Sequence, residues 1–280
     1  MASRLAQRLQ REGQNVRLFT QPAGEVPNDE LHVQPAAAAV IVIGGDGTLR
    51  AVADRLIEVL APQRVPPLLI VPLGTANLMG QHLDLKWNDI DLEDQIAAAL
   101  RRRRVVKIDA ARANGRLCLL MAGVGLDASV VHELQRVRTG PIDLTSYILP
   151  AALALQKYTF PSLCVHVDGR QVCSTRPALA FVGNIPEYGT GFPVLPLAKS
   201  DDGLLDVCVL PCSSRQEMLQ WLLHIVGGEH LHQEGVIYMK GKHVRIEAPA
   251  PVPVQVDGEA FGHTPLEMDL LPHRLGFIVR

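Results

Sequence analysis

Residues 41–50 read Ile-Val-Ile-Gly-Gly-Asp-Gly-Thr-Leu-Arg. The apolar run that leads into them, residues 36–43, ends in Val and Ile and is typical of a strand buried in a parallel sheet. After the glycines, apolar residues recur at helical spacing, which predicts an amphipathic helix. These residues are Leu49, Val52, Ala53, Leu56, Ile57 and Leu60. The pattern therefore predicts a strand, a glycine-rich loop and a helix.

The loop between this strand and helix, residues 44–48, has a composition that suits phosphate. Glycine lets a ligand approach the backbone with no Cβ in the way, and the N–H groups at the start of a helix favour an anion. Asp46 lies among three glycines, and its carboxylate would repel phosphates unless a divalent cation lay between them. A purely structural turn is the alternative, but a turn does not need the aspartate. We interpret the loop as a nucleotide-phosphate site.

Length and composition indicate a globular chain of two domains or one large domain. It has 280 residues, a formal net charge of -2 and 20% charged residues, so no global field points to nucleic acid. Five scattered cysteines without a CxxC pair indicate reduced thiols and a cytoplasmic location. No apolar run approaches the ~18 residues of a transmembrane helix. We interpret the basic run Arg101–Arg104 as charge at a helix C-terminus, with contact to anionic lipid headgroups as the alternative.

The first hundred residues alternate between helical and strand patterns. Residues 2–12 predict a helix, residues 16–20 a short strand, and residues 21–34 an irregular loop. Residues 68–71 predict a second buried strand, which leads into Pro72-Leu-Gly-Thr-Ala-Asn77. Two such loops at the carboxyl ends of parallel strands lie where an open α/β sheet binds ligands. The order of elements is that of the α/β class.

After Arg104 the pattern changes to many short strands separated by Pro and Gly. Asn114-Gly115 and Asp168-Gly169 are hairpin turn signals, and close-spaced strands predict an antiparallel, sandwich-like second domain. Two helical patterns interrupt it, Ile142–Tyr158 and Ser214–Val226, and the second opens with a capping box. The remaining predicted strands cover residues 105–110, 116–121, 162–167, 171–174, 178–184, 204–210, 236–239, 243–247, 252–256, 266–270 and 276–279.

Five motifs occur in one order along the chain. They are Gly44-Gly-Asp-Gly-Thr-Leu, Pro72-Leu-Gly-Thr-Ala-Asn77, Gly123-Val-Gly-Leu-Asp-Ala128, Asp202-Gly-Leu-Leu-Asp206 and Asp257-Gly-Glu259. In this set and order the chain resembles the diacylglycerol kinase catalytic-domain family, which includes YegS-like and sphingosine kinase-like lipid kinases. The resemblance implies a Rossmann-like α/β ATP-binding domain, residues 1–104, and a β-rich antiparallel sandwich-like lipid-binding domain, residues 105–280. The same two-domain fold occurs in NAD kinase.

The resemblance also implies an activity, namely Mg²⁺-dependent transfer of the γ-phosphoryl group of ATP to the hydroxyl of a diacylglycerol-like or sphingoid lipid at a membrane surface. Glu259 would be the general base, and Asp46 would help to hold the catalytic magnesium together with Asp109. A structural magnesium would be bound by the carboxylate of Asp202 and the carbonyls of Lys199 and Leu204. The nucleotide site would be lined by Thr20, Gly44, Gly45, Asp46, Gly47, Thr48, Leu49, Arg50, Gly74 and Thr75.

The sequence departs from the family pattern at several positions. The first strand of the nucleotide domain, with its Asn-Pro-x-Ser-Gly motif, has no counterpart, Leu78 follows Asn77 where many relatives have Asp, and Arg50 stands where Asn is usual. A catalytically weak or inactive lipid- or nucleotide-binding regulator is therefore the alternative to a kinase. NAD kinase shares the Gly-Gly-Asp-Gly-Thr loop, but the Thr-Gly-Ser-Thr-Ala-Tyr segment of that family has no counterpart. The sequence leaves open the acceptor lipid, and whether the chain is a monomer or a homodimer.

Overall fold

The computed structural model describes residues 1–32, 37–137, 148–189 and 191–280. Its α-helices are α1 (Ala2–Arg11), α2 (Asn28–Leu31), α3 (Asp46–Val59), α4 (Leu78–His82), α5 (Leu92–Arg102), α6 (Leu126–Val137), α7 (Ile148–Lys157) and α8 (Arg215–Val226). Its strands are β1 (Val40–Gly44), β2 (Leu68–Pro72), β3 (Val105–Ala113), β4 (Arg116–Cys118), β5 (Met121–Val124), β6 (Ser162–Val167), β7 (Arg170–Gly183), β8 (Leu205–Pro211), β9 (Ile237–Gly241), β10 (His243–Glu247), β11 (Pro253–Val256), β12 (Glu259–His263) and β13 (Leu266–Ile278). Within the described ranges, no helix has the length and apolar character needed to cross a bilayer.

The chain forms two compact units. The first contains Met1–Ile108 and His273–Arg280, and the second contains Asp109–Pro272. The last eight residues thus belong to the first unit, because β13 returns the chain to it and Phe277 pairs with Leu68 of β2. This division differs from the sequence prediction for those residues. The predicted domain boundary after Arg104 stays a prediction.

The first unit is built on the predicted strand, loop and helix. β1 runs parallel to β2, with Val42 opposite Ile70, and α3 buries Leu49, Ala53 and Leu56 on its apolar face. β1 lies at the edge of the sheet, and Val42 is the one residue of this strand that is fully buried. α1 and α5 pack together and contribute leucine, isoleucine and alanine side chains to the core beside β2.

Two predictions for this unit's N-terminal region have different outcomes. The helix over residues 2–12 is confirmed as α1. The strand over residues 16–20 is wrong, because these residues have no regular secondary structure and are mostly exposed. So short a segment does not by itself supply a pairing partner, and a strand forms only where a neighbouring strand accepts its hydrogen bonds. Residues 21–34, predicted as irregular, contain the single-turn α2, and residues 33–34 lie outside the described ranges.

The second unit is an antiparallel β-structure. Its strands pair in the order β13-β10-β6-β7-β5-β11-β12, and β8 pairs with both β7 and β9. The two predicted hairpins are confirmed, since Asn114 and Gly115 join β3 to β4, and Asp168 and Gly169 join β6 to β7. All four turn residues have positive φ, from +44° to +87°, which Asn, Asp and Gly tolerate better than other residues. Small and branched apolar side chains from these strands form the core.

The helices of the second unit were predicted less completely than its hairpins. The capping box of α8 is confirmed, because Ser214 Oγ accepts a hydrogen bond from Glu217 N at 3.2 Å. α7 forms the described part of the predicted helix over residues 142–158, and residues 142–147 lie outside the described ranges. α6 and β12 were not predicted. Gly123 and Gly125 lie just before α6, and β12 follows directly on the Asp257-Gly258 turn.

Candidate functional site

The two glycine loops of the first unit approach each other at backbone distance. Gly44 ends β1, Gly45 caps α3, and Gly74 lies in the loop after β2. A methyl group built on Gly74 would lie 2.8 Å from Gly45 Cα and 2.8 Å from Asn77 Oδ1, which is closer than side-chain atoms pack. The glycines at both positions are therefore required by loop packing, as well as by the approach of any ligand.

Asn77 closes the second loop on itself. Its Oδ1 accepts a hydrogen bond from Gly74 N at 2.8 Å, and its Nδ2 donates to Gly74 O at 2.5 Å. Asn77 has a φ of +49°, a left-handed conformation that asparagine tolerates better than most residues. It is also the residue from which α4 begins. A single side chain thus sets the shape of the loop and the starting direction of the helix.

Asp46 connects the two loops. It is the first residue of α3, yet its carboxylate accepts hydrogen bonds from the backbone N–H groups of Leu78 at 2.9 Å and Met79 at 3.2 Å, at the start of α4. These bonds satisfy two of the N–H groups that a helix leaves open at its N-terminus. The carboxylate is therefore held in one orientation, with an acceptor position left on each oxygen. Leu78, which departs from the family pattern in its side chain, takes part through its backbone.

The other residues predicted to line the nucleotide site differ in exposure. Thr48, Gly74 and Thr75 are exposed, and Gly47 and Arg50 are half-buried. Leu49 is only 1% exposed and packs in the core, so it can offer only its backbone to a ligand. Thr20 is exposed, and its N–H lies 3.3 Å from Gln21 Oε1 as a hydrogen-bond donor.

Glu259 lies at the start of β12 in the second unit. Its Oε2 forms a close ion pair with Arg116 Nη2 of β4, and 42% of its side chain is exposed. The Arg116 guanidinium also lies over the ring of Phe261, 5.3 Å from the ring centroid. Arg116 is therefore held by two neighbours on β12, and it in turn orients the Glu259 carboxylate, which remains accessible from solvent.

Asp257, two residues earlier, has a different environment. Its carboxylate accepts hydrogen bonds from the backbone N–H groups of Leu119 at 2.9 Å, Leu120 at 2.9 Å and Met121 at 3.2 Å. Asp257 and Gly258 have φ values of +52° and +78° and form the turn between β11 and β12. The Asp-Gly-Glu motif is thus a hairpin turn whose aspartate fastens it to the β4–β5 connection. Because the turn is held in this way, β12 begins at Glu259.

Asp109 on β3 contacts the loop before β8, in which Asp202 lies. Asp109 is fully buried, and its Oδ2 accepts a hydrogen bond from Gly203 N at 2.7 Å. Asp202 Oδ1 accepts from Leu204 N at 3.1 Å, and its Oδ2 lies 2.7 Å from Lys240 Nζ. Lys199 is an exposed residue of the same loop. Within the described residues there is no group of three or more His, Cys, Asp and Glu side chains that could hold a metal ion.

Asp127, which lies in the third sequence motif, has an unusual environment. Its Oδ1 is shielded from solvent and accepts no hydrogen bond from the described residues, and its Oδ2 lies 3.4 Å from Gln255 Nε2. Burial raises the pKa of the Asp127 carboxyl to about 7, against the lowering effect of the Ala128 N–H and of Gln255. The sequence signal for this residue was its spacing, since Asp127 lies four residues after Gly123 and two after Gly125.

The glycines of that motif make room for two polar groups. A methyl group on Gly123 would collide with Asp127 Oδ2, and one on Gly125 would lie 2.8 Å from the hydroxyl of Tyr158. Gly125 also has a φ of +129°, a conformation that side chains rarely adopt. The Tyr158 hydroxyl is itself buried, and desolvation together with the charge of Asp127 raises its pKa. The motif thus places a carboxyl group with one shielded oxygen near a shielded phenol hydroxyl.

The chain matches family models over nearly its whole length. Residues 2–113 match the diacylglycerol kinase catalytic domain, and residues 121–279 match the YegS C-terminal NAD kinase beta sandwich-like domain. Among curated proteins it is similar to the "Diacylglycerol kinase" of Staphylococcus carnosus, with 28% identity over 88% of this chain and 78% of that protein. It is also similar to the "Probable lipid kinase YegS-like" of Pseudomonas aeruginosa, with 32% identity over 85% of this chain and 75% of that protein.

A solved structure shows the same fold. The crystal structure of a diacylglycerol kinase from Bacillus anthracis strain Sterne aligns with 87% of this chain and 78% of that chain, at a TM-score of 0.63 and 26% identity. The predicted fold class, an α/β domain followed by a β-rich sandwich-like domain, is confirmed by these matches and by the two units described above. The chain belongs to the family of diacylglycerol kinases and YegS-like lipid kinases.

Proposed function

We propose that this protein is an ATP-dependent lipid kinase that phosphorylates the hydroxyl of a diacylglycerol-like or sphingoid lipid. The observation that carries the proposal is the pair of glycine loops of the first unit, joined by Asp46 at the N-termini of α3 and α4. Such a pair offers backbone N–H groups, helix ends and a fixed carboxylate in one place, which suits a nucleotide phosphate chain. The names of the relatives, a diacylglycerol kinase and a probable YegS-like lipid kinase, indicate that the acceptor is a lipid.

The nucleotide would be held mainly by backbone groups. The N–H groups of residues 46–48 begin α3 and have no partner within the helix, so they are available to phosphate oxygens. Gly44, Gly45, Gly74 and Thr75 would line the same place, and the guanidinium of Arg50 would reach a phosphate. Thr20 would contribute from the segment after α1. Leu49 would act only through its backbone, because its side chain is buried in the core.

The residues at Asp46 fit a divalent cation in their chemistry. Both oxygens of the carboxylate are oriented by α4 N–H groups and keep further lone pairs, and oxygen is the ligand that Mg²⁺ prefers. Magnesium bound there with the nucleotide would neutralise charge on the phosphates. Asp109, whose Oδ2 accepts the Gly203 N–H at 2.7 Å, would be the second carboxylate of this magnesium network.

Glu259 is the proposed general base. As the lipid oxygen forms its bond to the γ-phosphorus, its proton moves to the Glu259 carboxylate, and the bond to the β–γ bridging oxygen breaks so that ADP leaves with that electron pair. Arg116 keeps the carboxylate in place, and its own position is kept by Phe261. An exposed position at the start of a strand suits a base that must meet the hydroxyl of a lipid.

The acceptor requires association with a membrane surface, since a lipid with two acyl chains is not free in water. We infer that the protein acts as a peripheral membrane protein in the cytoplasm. Helix α7, which is rich in Leu and Ala, is our candidate for contact with the acyl chains. Residues 142–147, which the sequence predicts as the start of this helix, lie outside the described ranges.

A matched pair of variants tests the base. Glu259 and Glu267 are both about half-exposed glutamates paired with an arginine, at 42% and 45% side-chain exposure. Purified wild type, Glu259→Gln and Glu267→Gln would be incubated with γ-labelled ATP, Mg²⁺ and mixed lipid vesicles, and phosphorylated lipids identified by mass spectrometry. We expect Glu259→Gln to lower kcat by about 10²–10⁴-fold. Glu267→Gln should keep wild-type activity.

The results distinguish the kinase from its alternative. Wild-type activity in Glu259→Gln would reject the base, and no lipid labelling by the wild type would favour a nucleotide-binding regulator on the same scaffold. One observation favours the regulator, namely that Leu78 follows Asn77 where many relatives have Asp, so the magnesium network has one carboxylate fewer. Calorimetric titration with ATP and Mg²⁺ then measures whether the first unit binds nucleotide without transferring it.

A further inference from the structure

The ammonium of Lys240 lies in a cluster of oxygen atoms on the second unit. Its Nζ is 2.7 Å from Asp202 Oδ2, 3.3 Å from Asp206 Oδ2 and 3.3 Å from the carbonyl oxygen of Leu197. An ammonium has three N–H donors, so three oxygens match its capacity. Asp206 is fully buried, and its other oxygen accepts a hydrogen bond from the Tyr238 hydroxyl at 2.6 Å. The cluster is thus shielded from solvent on the side of Asp206.

The sheet fixes this geometry. Lys240 on β9 and Asp206 on β8 are directly opposite each other in the antiparallel register. Asp202 lies in the turn just before β8, and its side chain is 24% exposed, against 27% for Lys240. A pair set by strand register loses little further conformational entropy when it forms, unlike an ion pair between flexible surface side chains. The three residues therefore form a built site rather than an incidental surface pair.

The same loop was expected to hold a structural magnesium, through Asp202 and the carbonyls of Lys199 and Leu204. The residues do not fit that ion. Asp202 Oδ2 is in contact with Lys240, and Asp202 Oδ1 accepts the Leu204 N–H, so Leu204 presents its N–H to the carboxylate. A divalent cation on Asp202 would lie within a few ångströms of a fixed positive charge, and the two would repel each other.

We propose that the Lys240 ammonium replaces the structural divalent cation of the loop before β8, so that this chain folds without a metal there. The ammonium supplies positive charge to two carboxylates and one carbonyl, which together form an oxygen-only set of ligands suited to a hard cation. Without the positive charge of Lys240, two negatively charged carboxylates and one carbonyl oxygen would lie close together. A neutral residue at position 240 should therefore create a divalent cation site.

Metal dependence of unfolding tests the replacement. Three proteins would be compared, namely the wild type, Lys240→Met and Lys240→Arg, each with the additional change Asp46→Asn. This change removes the carboxylate proposed for the catalytic magnesium. Each protein would be thermally unfolded without nucleotide, once in EDTA and once in Mg²⁺. We expect the wild type and Lys240→Arg to melt at the same temperature in both. Lys240→Met should melt lower in EDTA and regain at least about 2–4 °C in Mg²⁺.

Direct binding of Mn²⁺, measured by its electron paramagnetic resonance signal, provides the second readout. Lys240→Met should bind Mn²⁺ at least about tenfold tighter than the wild type, and adding Asp202→Asn should abolish this gain. The proposal is overturned if the wild type is stabilised by Mg²⁺ in a way that Asp202→Asn removes. It is equally overturned if Lys240→Met folds but neither binds Mn²⁺ nor responds to Mg²⁺. If Lys240→Met does not fold, Lys240→Gln takes its place in both measurements.

Discussion

Replacing Asp127 with Asn should stabilise the second unit, and increasingly so as the pH rises. Burial of the carboxyl raises its pKa from an ordinary value of 3.8 to about 7. Between these values the folded protein binds more protons at this group than the unfolded chain does, so wild-type stability falls as the pH rises. Asparagine has nearly the same shape and no charge to desolvate, so the variant lacks this pH-dependent loss.

The magnitude follows from the size of the shift. A change of about 3 pKa units corresponds to about 4 kcal/mol once the pH is above the folded-state pKa. At pH 5 the wild type already bears about 2 kcal/mol of this penalty, and at pH 8 it bears nearly all of it. The difference in free energy of unfolding between Asp127→Asn and wild type should therefore grow by about 2–3 kcal/mol from pH 5 to pH 8. A constant effect of the asparagine hydrogen bonds cancels in this comparison.

The assay must report on the second unit alone, because a chain of two units need not unfold in one step. The protein has two tryptophans, Trp87 in the first unit and Trp221 in the second. Urea unfolding followed by fluorescence in a Trp87→Phe background therefore follows the unit that contains Asp127. Glu234→Gln is the matched control, since it removes an exposed carboxylate from the same unit.

A difference between Asp127→Asn and wild type that stays constant from pH 5 to pH 8 would refute the reasoning. It would mean that water reaches the carboxyl in the folded protein. The reasoning would also be refuted if the free energy of unfolding of Glu234→Gln, relative to wild type, grew with pH in the same way. The effect would then be one of net charge. A stabilised variant would indicate that the wild type keeps a destabilising carboxyl, as proteins do mainly at functional sites.

Three further substitutions test the loops and turns. Gly74→Ala should destabilise the first unit by about 1–3 kcal/mol and weaken ATP binding in calorimetry, because its methyl group would meet Gly45 and Asn77. Gly24→Ala is the control. No atom lies near its new methyl group, so it should have neither effect. Asp257→Asn should lower the free energy of unfolding by about 2–3 kcal/mol in urea titrations, since one amide oxygen cannot serve three backbone N–H groups; an effect equal to that of Glu234→Gln would contradict this role. Ser214→Ala should cost about 1 kcal/mol by loss of the α8 cap, and an unchanged unfolding midpoint would show that Glu217 alone suffices.

Local signals in the sequence were sufficient for much of the fold. The glycine loop between β1 and α3, the turns at Asn114-Gly115 and Asp168-Gly169, and the cap of α8 each depend on residues within a few positions of one another. Backbone conformation and capping act over this range, so they can be recognised from the order of residues alone. α6 was missed because the two glycines that precede it, which make room for Asp127 and Tyr158, give no helix start signal in the linear sequence.

The partners of the polar groups depended on tertiary structure. Asp46 binds N–H groups 32 and 33 residues away, Glu259 pairs with a residue 143 positions earlier, and Lys240 reaches Asp202 across 38 residues. Strand register and loop packing bring such groups together, and neither is written in the spacing of the residues. The same long-range placement distinguishes a carboxylate that binds a metal from one that binds a lysine. For this protein the sequence alone determined the family and the order of its elements, and the packed fold decided which charges meet.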